Sequence, residues 1–174
     1  QVEVVGQENI PDDGPVIFVG NHPNSLMDPI LISTHCGRKL HFLAKDTLFK
    51  QAHLKLILKV MGAVPVKRKQ DHADGQQLDN KGPFEALFTL LRDGGACGIF
   101  PEGISHAESE LAPLKTGAAR IALGAAAERE AGAPVRVVPC GLCYYRRTRM
   151  RSRVLVQFGR PIEIDAARID AWKA

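Results

Sequence analysis

The sequence contains no long uninterrupted apolar run and few aromatic side chains. No segment approaches the roughly 20 apolar residues that a membrane-spanning helix requires, and the most apolar one, residues 54–66, is broken by Lys55, Lys59 and Pro65. Aromatic residues make up 6% of the 174 residues, which disfavours a nucleic-acid-binding surface. With 45% hydrophobic and 24% charged residues, the composition predicts a folded globular chain, neither disordered nor embedded in a membrane.

Cysteine is also scarce, and its spacing gives little support for a metal site. The four cysteines are Cys36, Cys97, Cys140 and Cys143, of which only the last two have a C-x-x-C spacing. They lie in a predicted buried strand, where positions three apart point to opposite faces, so this pair is poorly placed to bind a metal or to close a disulfide. We therefore predict four reduced, buried thiols in a cytosolic setting and no metal site.

The length of the chain predicts one domain, residues 1–174, with a sizeable core. Its formal net charge of +4 favours anionic partners but does not choose among lipid surfaces, phosphorylated small molecules and nucleic acid. The first residues show no signal-peptide pattern, and the sequence begins with Gln1. We expect a trimmed form or a piece of a longer protein, which leaves open whether membrane anchors lie outside it.

Short apolar runs alternate with longer helical patterns along the chain. This alternation predicts an α/β fold with a mostly parallel mixed sheet covered by helices, and a site at the C-terminal ends of the strands. The predicted strands are 16–20, 41–45, 63–66, 97–100, 135–142 and 154–158. The predicted helices are 30–36, 47–61, 83–92 and 115–131. Two polar loops, 69–82 and 145–153, complete the predicted organisation.

The loop 21–28 carries the clearest indication of chemistry. It follows the predicted strand 16–20 and contains His22 and Asp28. A histidine can act as a base near neutral pH, and a carboxylate can fix its tautomer and stabilise its cation. The two residues cannot face each other along one helix, but they can meet if Asp28 begins the helix that follows the loop.

Simpler interpretations exist for the same residues. Asp28-Pro29 is a typical helix N-cap followed by proline at the first helical position, and Ser25-x-x-Asp28 fits a capping box. His22 fits a hydrogen-bonded loop histidine. Each simple interpretation is favoured when its residue is considered alone, and the adjoining motifs reverse that preference.

Three of these motifs follow predicted strands. His22, Lys67-Arg68 and Glu102 each stand just past a strand end. The carboxyl ends of parallel strands meet at one edge of a sheet, so we expect these side chains to converge on one pocket.

Four sequence blocks together resemble the glycerophospholipid acyltransferases, the family of glycerol-3-phosphate and lysophosphatidate acyltransferases. They occur in the family's order between about residues 15 and 160, and they are Asn21-His22 with Asp28-Pro29, Gly62 to Arg68, Phe100-Pro101-Glu102-Gly103, and Val138-Pro139-Cys140-Gly141-Leu142. Five residues separate His22 from Asp28 where the family commonly has four, which resembles a subgroup that includes fungal glycerol-3-phosphate and dihydroxyacetone-phosphate acyltransferases. Ile104-Ser105-His106 stands where the family usually has threonine and a basic residue.

The resemblance implies a membrane-associated cytoplasmic enzyme of phospholipid biosynthesis. It would transfer a fatty acyl group from acyl-CoA or acyl carrier protein to a hydroxyl of glycerol 3-phosphate or 1-acylglycerol 3-phosphate, with no further cofactor. His22 would act as general base and Asp28 would orient it. The thiol leaving group departs readily, so no covalent enzyme intermediate is required.

Further residues are candidates for binding the substrate. Arg68, flanked by Lys67 and Lys69, can grip a phosphate through two parallel hydrogen bonds, although a solvated basic cluster is the simpler alternative. Glu102 would hold Arg68 or a glycerol hydroxyl, with an ion pair away from the substrate as an equal alternative. The other candidates are Asn24 and Ser25, which could instead only shape the loop, Lys45, and Gly103, which lets the backbone come close.

Two segments could contact an anionic membrane. Helix 47–61 has a broad apolar arc opposite Lys55 and Lys59, although most such helices pack on their own sheet. The loop 145–153 carries five arginines at positions 146, 147, 149, 151 and 153. They could face lipid or the phosphates of CoA, and a solvated hairpin is slightly favoured over both.

Three other functions remain as alternatives. A lysophospholipid-remodelling acyltransferase would use the same chemistry on a different acceptor. A serine hydrolase would need a G-x-S-x-G elbow, which the sequence lacks. A non-catalytic lipid- or nucleotide-binding module would have no use for the paired His22 and Asp28.

Overall fold

A computed structural model describes residues 1–67, 81–129, 132–149 and 151–174, which form an eight-stranded sheet and five α-helices. The strands are β1 (Val2–Val5), β2 (Val16–Gly20), β3 (Leu40–Lys45), β4 (Val64–Val66), β5 (Ala96–Ile99), β6 (Arg136–Tyr144), β7 (Val154–Phe158) and β8 (Ile162–Glu163). The α-helices are α1 (Met27–His35), α2 (Ala52–Val60), α3 (Lys81–Arg92), α4 (Gly117–Ala127) and α5 (Ala166–Lys173). Two short 3₁₀ helices lie at Gln7–Asn9 and Asp46–Lys50.

The sheet has the order β1-β7-β6-β2-β5-β3-β4, and β8 pairs with β6. Five strand pairs are parallel, whereas β6 pairs antiparallel with both β7 and β8. The predicted α/β fold with a mostly parallel mixed sheet is therefore confirmed. Because β2, β5, β3 and β4 run in one direction, their carboxyl ends lie along one edge.

Strand β2 is the centre of the core. Val16, Ile17 and Phe18 are completely buried, as expected for a parallel strand covered by helices on both faces. Val16 and Phe18 pack in a cluster that includes residues of α1, and Ile17 packs in a second cluster with residues of α3 and α4. Helices therefore cover both sides of the sheet and leave its carboxyl edge open to form a site.

Most predicted strand boundaries agree with the structure to within two residues. The predicted helix 47–61 is wrong as one element, because Gln51 has an extended backbone that separates the 3₁₀ helix from α2. Helix α1 begins three residues earlier than predicted. Strands β1 and β8 and helix α5 were not predicted at all. The predicted loop 69–82 lies largely outside the described residues.

The prediction of four buried thiols is correct for Cys36, Cys97 and Cys140 and wrong for Cys143, which is exposed. Strand β6 alternates its side chains between core and solvent, so Cys140 and Cys143 point to opposite faces, as the spacing predicts. Burial raises the pKa of both Cys97 and Cys140 to about 12. No helix in the described ranges is both long and apolar enough to cross a bilayer.

Gly98 on β5 leaves room for the ring of Phe42, its register partner on β3. A Cβ at Gly98 would overlap that ring and come within 2.6 Å of its Cδ1. We predict that Gly98→Ala lowers the free energy of unfolding by about 1–3 kcal/mol, since overpacking displaces Phe42. Gly141→Ala on β6 is the matched control, because a Cβ there meets only ordinary contacts at 3.7 Å or more. Urea unfolding of both variants measures this, and equal stability would contradict the packing argument.

Candidate active site

The loop after β2 is anchored to the neighbouring strand β6 by one side chain. The Asn21 Nδ2 donates to the Leu142 carbonyl (2.9 Å), and the Leu142 amide donates to Asn21 Oδ1 (2.7 Å). This amide side chain mimics one more rung of the β2–β6 pairing. It therefore fixes the point from which the loop leaves the sheet and carries His22 over the carboxyl edge.

His22 and Asp28 are in direct contact, as the loop predicts. His22 Nδ1 lies 2.8 Å from Asp28 Oδ2, with the His22 side chain 19% exposed and the Asp28 side chain completely buried. A carboxylate on Nδ1 selects the tautomer with a proton on that nitrogen and leaves Nε2 as the ring nitrogen that can accept a proton. The geometry therefore suits a general base.

Asp28 receives two further hydrogen bonds. The Asn24 amide donates to Oδ2 (2.6 Å), and the Tyr144 hydroxyl at the end of β6 donates to Oδ1 (2.6 Å). Burial, together with this bond to a carboxylate, strongly raises the pKa of Tyr144 and keeps it a donor. Asp28 is not the N-cap of α1. It lies in the first turn, where Leu26 holds the cap position without a side-chain bond.

An aromatic stack supports the imidazole from one face. The ring of His22 lies parallel to that of Phe100, with centroids 4.1 Å apart and an interplanar angle of 8°. Phe100 in turn stacks on Phe42, at 5.7 Å and 11°. One face of His22 is therefore shielded by an apolar wall, and the Asp28 contact and the wall together fix the ring.

The buried Glu102, which is 3% exposed, contacts the backbone of His22. Its Oε1 accepts from the His22 amide (3.0 Å), and its Oε2 accepts from the Ala112 amide (2.8 Å) and contacts His106 Nε2. Burial alone would raise the pKa of this carboxyl, but the hydrogen bonds from His106, Ala112 and His22 outweigh it and hold the pKa below its usual range. Glu102 is therefore an ionised structural anchor.

A cavity of about 700 Å³ opens beside His22, a size typical of small-molecule sites. Its lining is mostly apolar and includes residues of β3, α2, α3, β5 and α4, among them Leu58, Phe84 and Ile121. Its polar side chains are those of His22, Ser25, Lys45, Ser105 and Lys115, and among the described residues no carboxylate lines it. An anionic head with a long apolar tail fits this distribution.

The structure brings some predicted site residues together and leaves others aside. Ser25, Lys45 and Gly103 line the cavity with His22, whereas Asn24 and Glu102 do not. Asn24 acts through its backbone bond to Asp28, and the contacts of Glu102 favour an ion pair without substrate contact. Arg68 lies outside the described residues.

Three polar residues of the site, Tyr144, Lys115 and Ser105, were not among the residues predicted from the sequence. Tyr144 lies at the end of β6 beyond the fourth block, and its only sequence signal is that it shares the inward period-two face with Cys140 and Leu142. Lys115 lines the cavity, and its side chain fills the space where a side chain at Gly103 would lie. Gly103 has a φ of 70°, a conformation that favours glycine. Nothing in the spacing of Lys115 points to this position.

Comparison with known proteins defines the class to which this fold and site belong. A family model described as Acyltransferase matches residues 1–143. Glycerol-3-phosphate O-acyltransferase 2 of Saccharomyces cerevisiae is 42% identical over 98 residues, which cover 56% of this chain and 13% of the yeast protein. The 1-acyl-sn-glycerol-3-phosphate acyltransferase of Borreliella burgdorferi is 30% identical over 123 residues, covering 71% and 46% of the two chains.

A solved structure has the same fold. The 1-acyl-sn-glycerophosphate acyltransferase of Thermotoga maritima superposes with a TM-score of 0.66 at 20% identity, over 99% of this chain and 67% of that one. This chain belongs to the glycerophospholipid acyltransferase family. It spans a third or less of the length of the two yeast glycerol-3-phosphate acyltransferases that it matches.

Tyr144 offers a test of how the buried carboxylate is held. Tyr144→Phe leaves Asp28 Oδ1 without its hydroxyl donor, and we predict a loss of about 1–3 kcal/mol in the free energy of unfolding, because a buried acceptor is left unpaired. Tyr145→Phe is the matched control, since the side chain of Tyr145 is exposed. Denaturant unfolding of both variants measures the difference, and two unchanged midpoints would show that the Tyr144 hydroxyl does not stabilise Asp28.

Proposed function

We propose that this protein transfers a fatty acyl group from acyl-CoA or acyl carrier protein to a hydroxyl of glycerol 3-phosphate or 1-acylglycerol 3-phosphate, as a step of phospholipid biosynthesis. Residues 1–174 constitute one acyltransferase domain in this proposal. The observation that carries it is the contact between His22 and Asp28 at a cavity that is mostly apolar. The names of the relatives supply the acceptor class.

The proposed mechanism is a direct transfer between two bound substrates. His22 Nε2 takes the proton of the acceptor hydroxyl while its oxygen attacks the thioester carbonyl carbon. The tetrahedral intermediate collapses with cleavage of the C–S bond, and the departing thiolate receives the proton from His22. Asp28 keeps Nδ1 protonated and stabilises the transient imidazolium. The products are the ester and the free thiol, and no cofactor takes part.

The proposed substrate contacts follow from the positions of the apolar and the polar side chains that line the cavity. The apolar part between the sheet and α2, α3 and α4 would hold an acyl chain. Lys45 and Lys115 would face the phosphate, together with Arg68, which follows the cavity-lining Val66 by two residues. Ser25 and Gly103 would contact the acceptor near His22, and Asn24 and Glu102 would act by holding the loop.

A second acceptor class is favoured by Ile104. This residue lines the cavity and is 37% exposed, at a place where the family usually carries a polar or basic side chain. An apolar residue there suits a lysophospholipid acceptor, whose contacts extend beyond a single phosphate. Acyl transfer to such an acceptor uses the same catalytic pair.

An acceptor panel with radiolabelled palmitoyl-CoA or palmitoyl carrier protein tests the proposal. The panel contains glycerol 3-phosphate, 1-acylglycerol 3-phosphate and neutral lysophospholipids. We expect labelled ester with a glycerol-phosphate acceptor, and a fall of at least about 100-fold in kcat for His22→Ala, since the base is lost. His53→Ala, an exposed histidine on α2, is the control. A folded His22→Ala protein with near-normal turnover would overturn the mechanism, and no transfer to any acceptor would overturn the function.

We further propose that the protein is cytoplasmic and contacts anionic membranes through the hairpin between β6 and β7. Among its described residues, Arg146, Arg149 and Arg151 have no acidic partner, and Arg153 pairs with Glu3. The Arg147 guanidinium donates to the Pro23 carbonyl (2.7 Å), so the hairpin lies beside the loop that carries His22. Charge on this hairpin would bring the cavity to the lipid surface.

Vesicle sedimentation tests this contact. Each arginine near an anionic surface contributes about 1 kcal/mol, so Arg146→Gln with Arg149→Gln should weaken binding to phosphatidylglycerol-containing vesicles roughly 30-fold. Binding to phosphatidylcholine vesicles should not change. Lys39→Gln with Arg160→Gln removes the same charge outside the hairpin, from exposed sites. Equal weakening by the two double variants would show that net charge, not the hairpin, governs binding.

A further inference from the structure

The segment 102–106 forms hydrogen bonds with both the backbone amide and the backbone carbonyl of His22. The His22 amide donates to Glu102 Oε1 (3.0 Å), and the His106 amide donates to the His22 carbonyl (3.1 Å). Three residues further along the loop, the Ser25 amide donates to Ser105 Oγ (2.9 Å). Three hydrogen bonds therefore tie this segment to the loop that carries the imidazole.

The imidazole ring of His106 contacts the same Glu102 carboxylate that accepts from the His22 amide. His106 Nε2 contacts Glu102 Oε2, and the two side chains are 17% and 1% exposed. The carboxylate of Glu102 is thereby held at both oxygens, and its other donors within the described residues are the backbone amides of His22 and Ala112. A buried carboxylate that loses a charged or polar partner must find a new one or move. The position of Oε1 against the His22 amide therefore depends on His106.

His106 is in no position to contact the substrate. It does not line the cavity, and its Nδ1 is buried without a hydrogen-bond partner in the described part of the chain. Its neighbour Ile104 lines the cavity instead. In this stretch, where the sequence departs from the family's usual residues, the polar side chain of His106 thus points inward to the carboxylate that supports the loop.

We propose that His106 is a positioning residue for His22, acting through the carboxylate of Glu102 and through its own amide. This inference rests on the proposed role of His22 as the base. Asp28 and Phe100 fix the ring of His22, and the His106–Glu102 pair fixes the backbone from which that ring projects. A displacement of about 1 Å of a reacting group can cost roughly 100-fold in rate, so the backbone must be held as firmly as the ring.

Steady-state kinetics with a conservative rescue separate positioning from a merely structural role. We expect His106→Ala to lower kcat about 10- to 100-fold while KM for donor and acceptor stays within about twofold, since no substrate contact is removed. His106→Gln retains a donor that can reach Glu102 and should restore most of kcat. His53→Ala serves as the control and should leave both parameters unchanged.

A second measurement does not need turnover. Selective nitrogen-15 labelling of the six histidines gives a small set of amide signals, and the one missing in His22→Ala identifies His22. His106→Ala should shift that signal, because the Glu102 acceptor moves, and His106→Gln should return it toward the wild-type position. A His22 signal that shifts in His106→Ala and returns in His106→Gln supports the proposal even if the acceptor substrate of the reaction has been misidentified.

Several results would overturn the proposal. A kcat of His106→Ala within about twofold of wild type would do so, as would a His22 amide signal that does not move. An increase in the acceptor KM at constant kcat would assign His106 to substrate binding instead. A His106→Gln protein no better than His106→Ala, with both folded by denaturant unfolding, would also contradict it. Failure of wild-type transfer to every acceptor, with the amide shift intact, would instead remove only the proposed function.

Discussion

The buried carboxylate of Asp28 is the constraint on which the site depends. An ionised group with no access to solvent is stable only when its oxygens are hydrogen-bonded, because desolvation of an unpaired charge costs several kcal/mol. Asp28 meets this need with donors from His22, Asn24 and Tyr144. Satisfying one carboxylate therefore fixes the loop after β2, the first turn of α1 and the end of β6 relative to one another.

Two kinds of support act on His22 at once. Asp28 and Phe100 hold the imidazole, while Glu102 and His106 hold the backbone of the same residue. The first two come from α1 and from the end of β5, and the second pair lies immediately beyond β5. Since β5 is the parallel neighbour of β2, Phe100, Glu102 and His106 all rest on one stretch of the sheet, and distortion of that stretch would disturb the support of both the ring and the backbone.

The sequence allows prediction of the residues that meet around His22, but not of the residues distant in sequence that support them. Apolar runs and the rule for parallel strands place His22 and Glu102 at one edge, and the spacing to Asp28 allows the observed contact. Local spacing also suggests an N-cap for Asp28, which is wrong, because the same residue types serve a cap and a buried anchor. Tyr144 is 116 residues from Asp28, a pairing that only the sheet order reveals. Strand β1 was not predicted for a different reason: it is a four-residue strand at the edge of the sheet, its residues are mostly exposed, and it therefore has no buried apolar run.

In the proposed reaction, a base that activates an acceptor hydroxyl would equally activate water, so transfer must be favoured over hydrolysis by keeping water from the thioester. The structure supplies the means at His22 itself. One face of the imidazole is covered by Phe100, and the cavity beside it is lined mostly by apolar side chains. In the proposed reaction, this apolar wall would contribute to the choice of nucleophile as well as to the binding of the acyl chain.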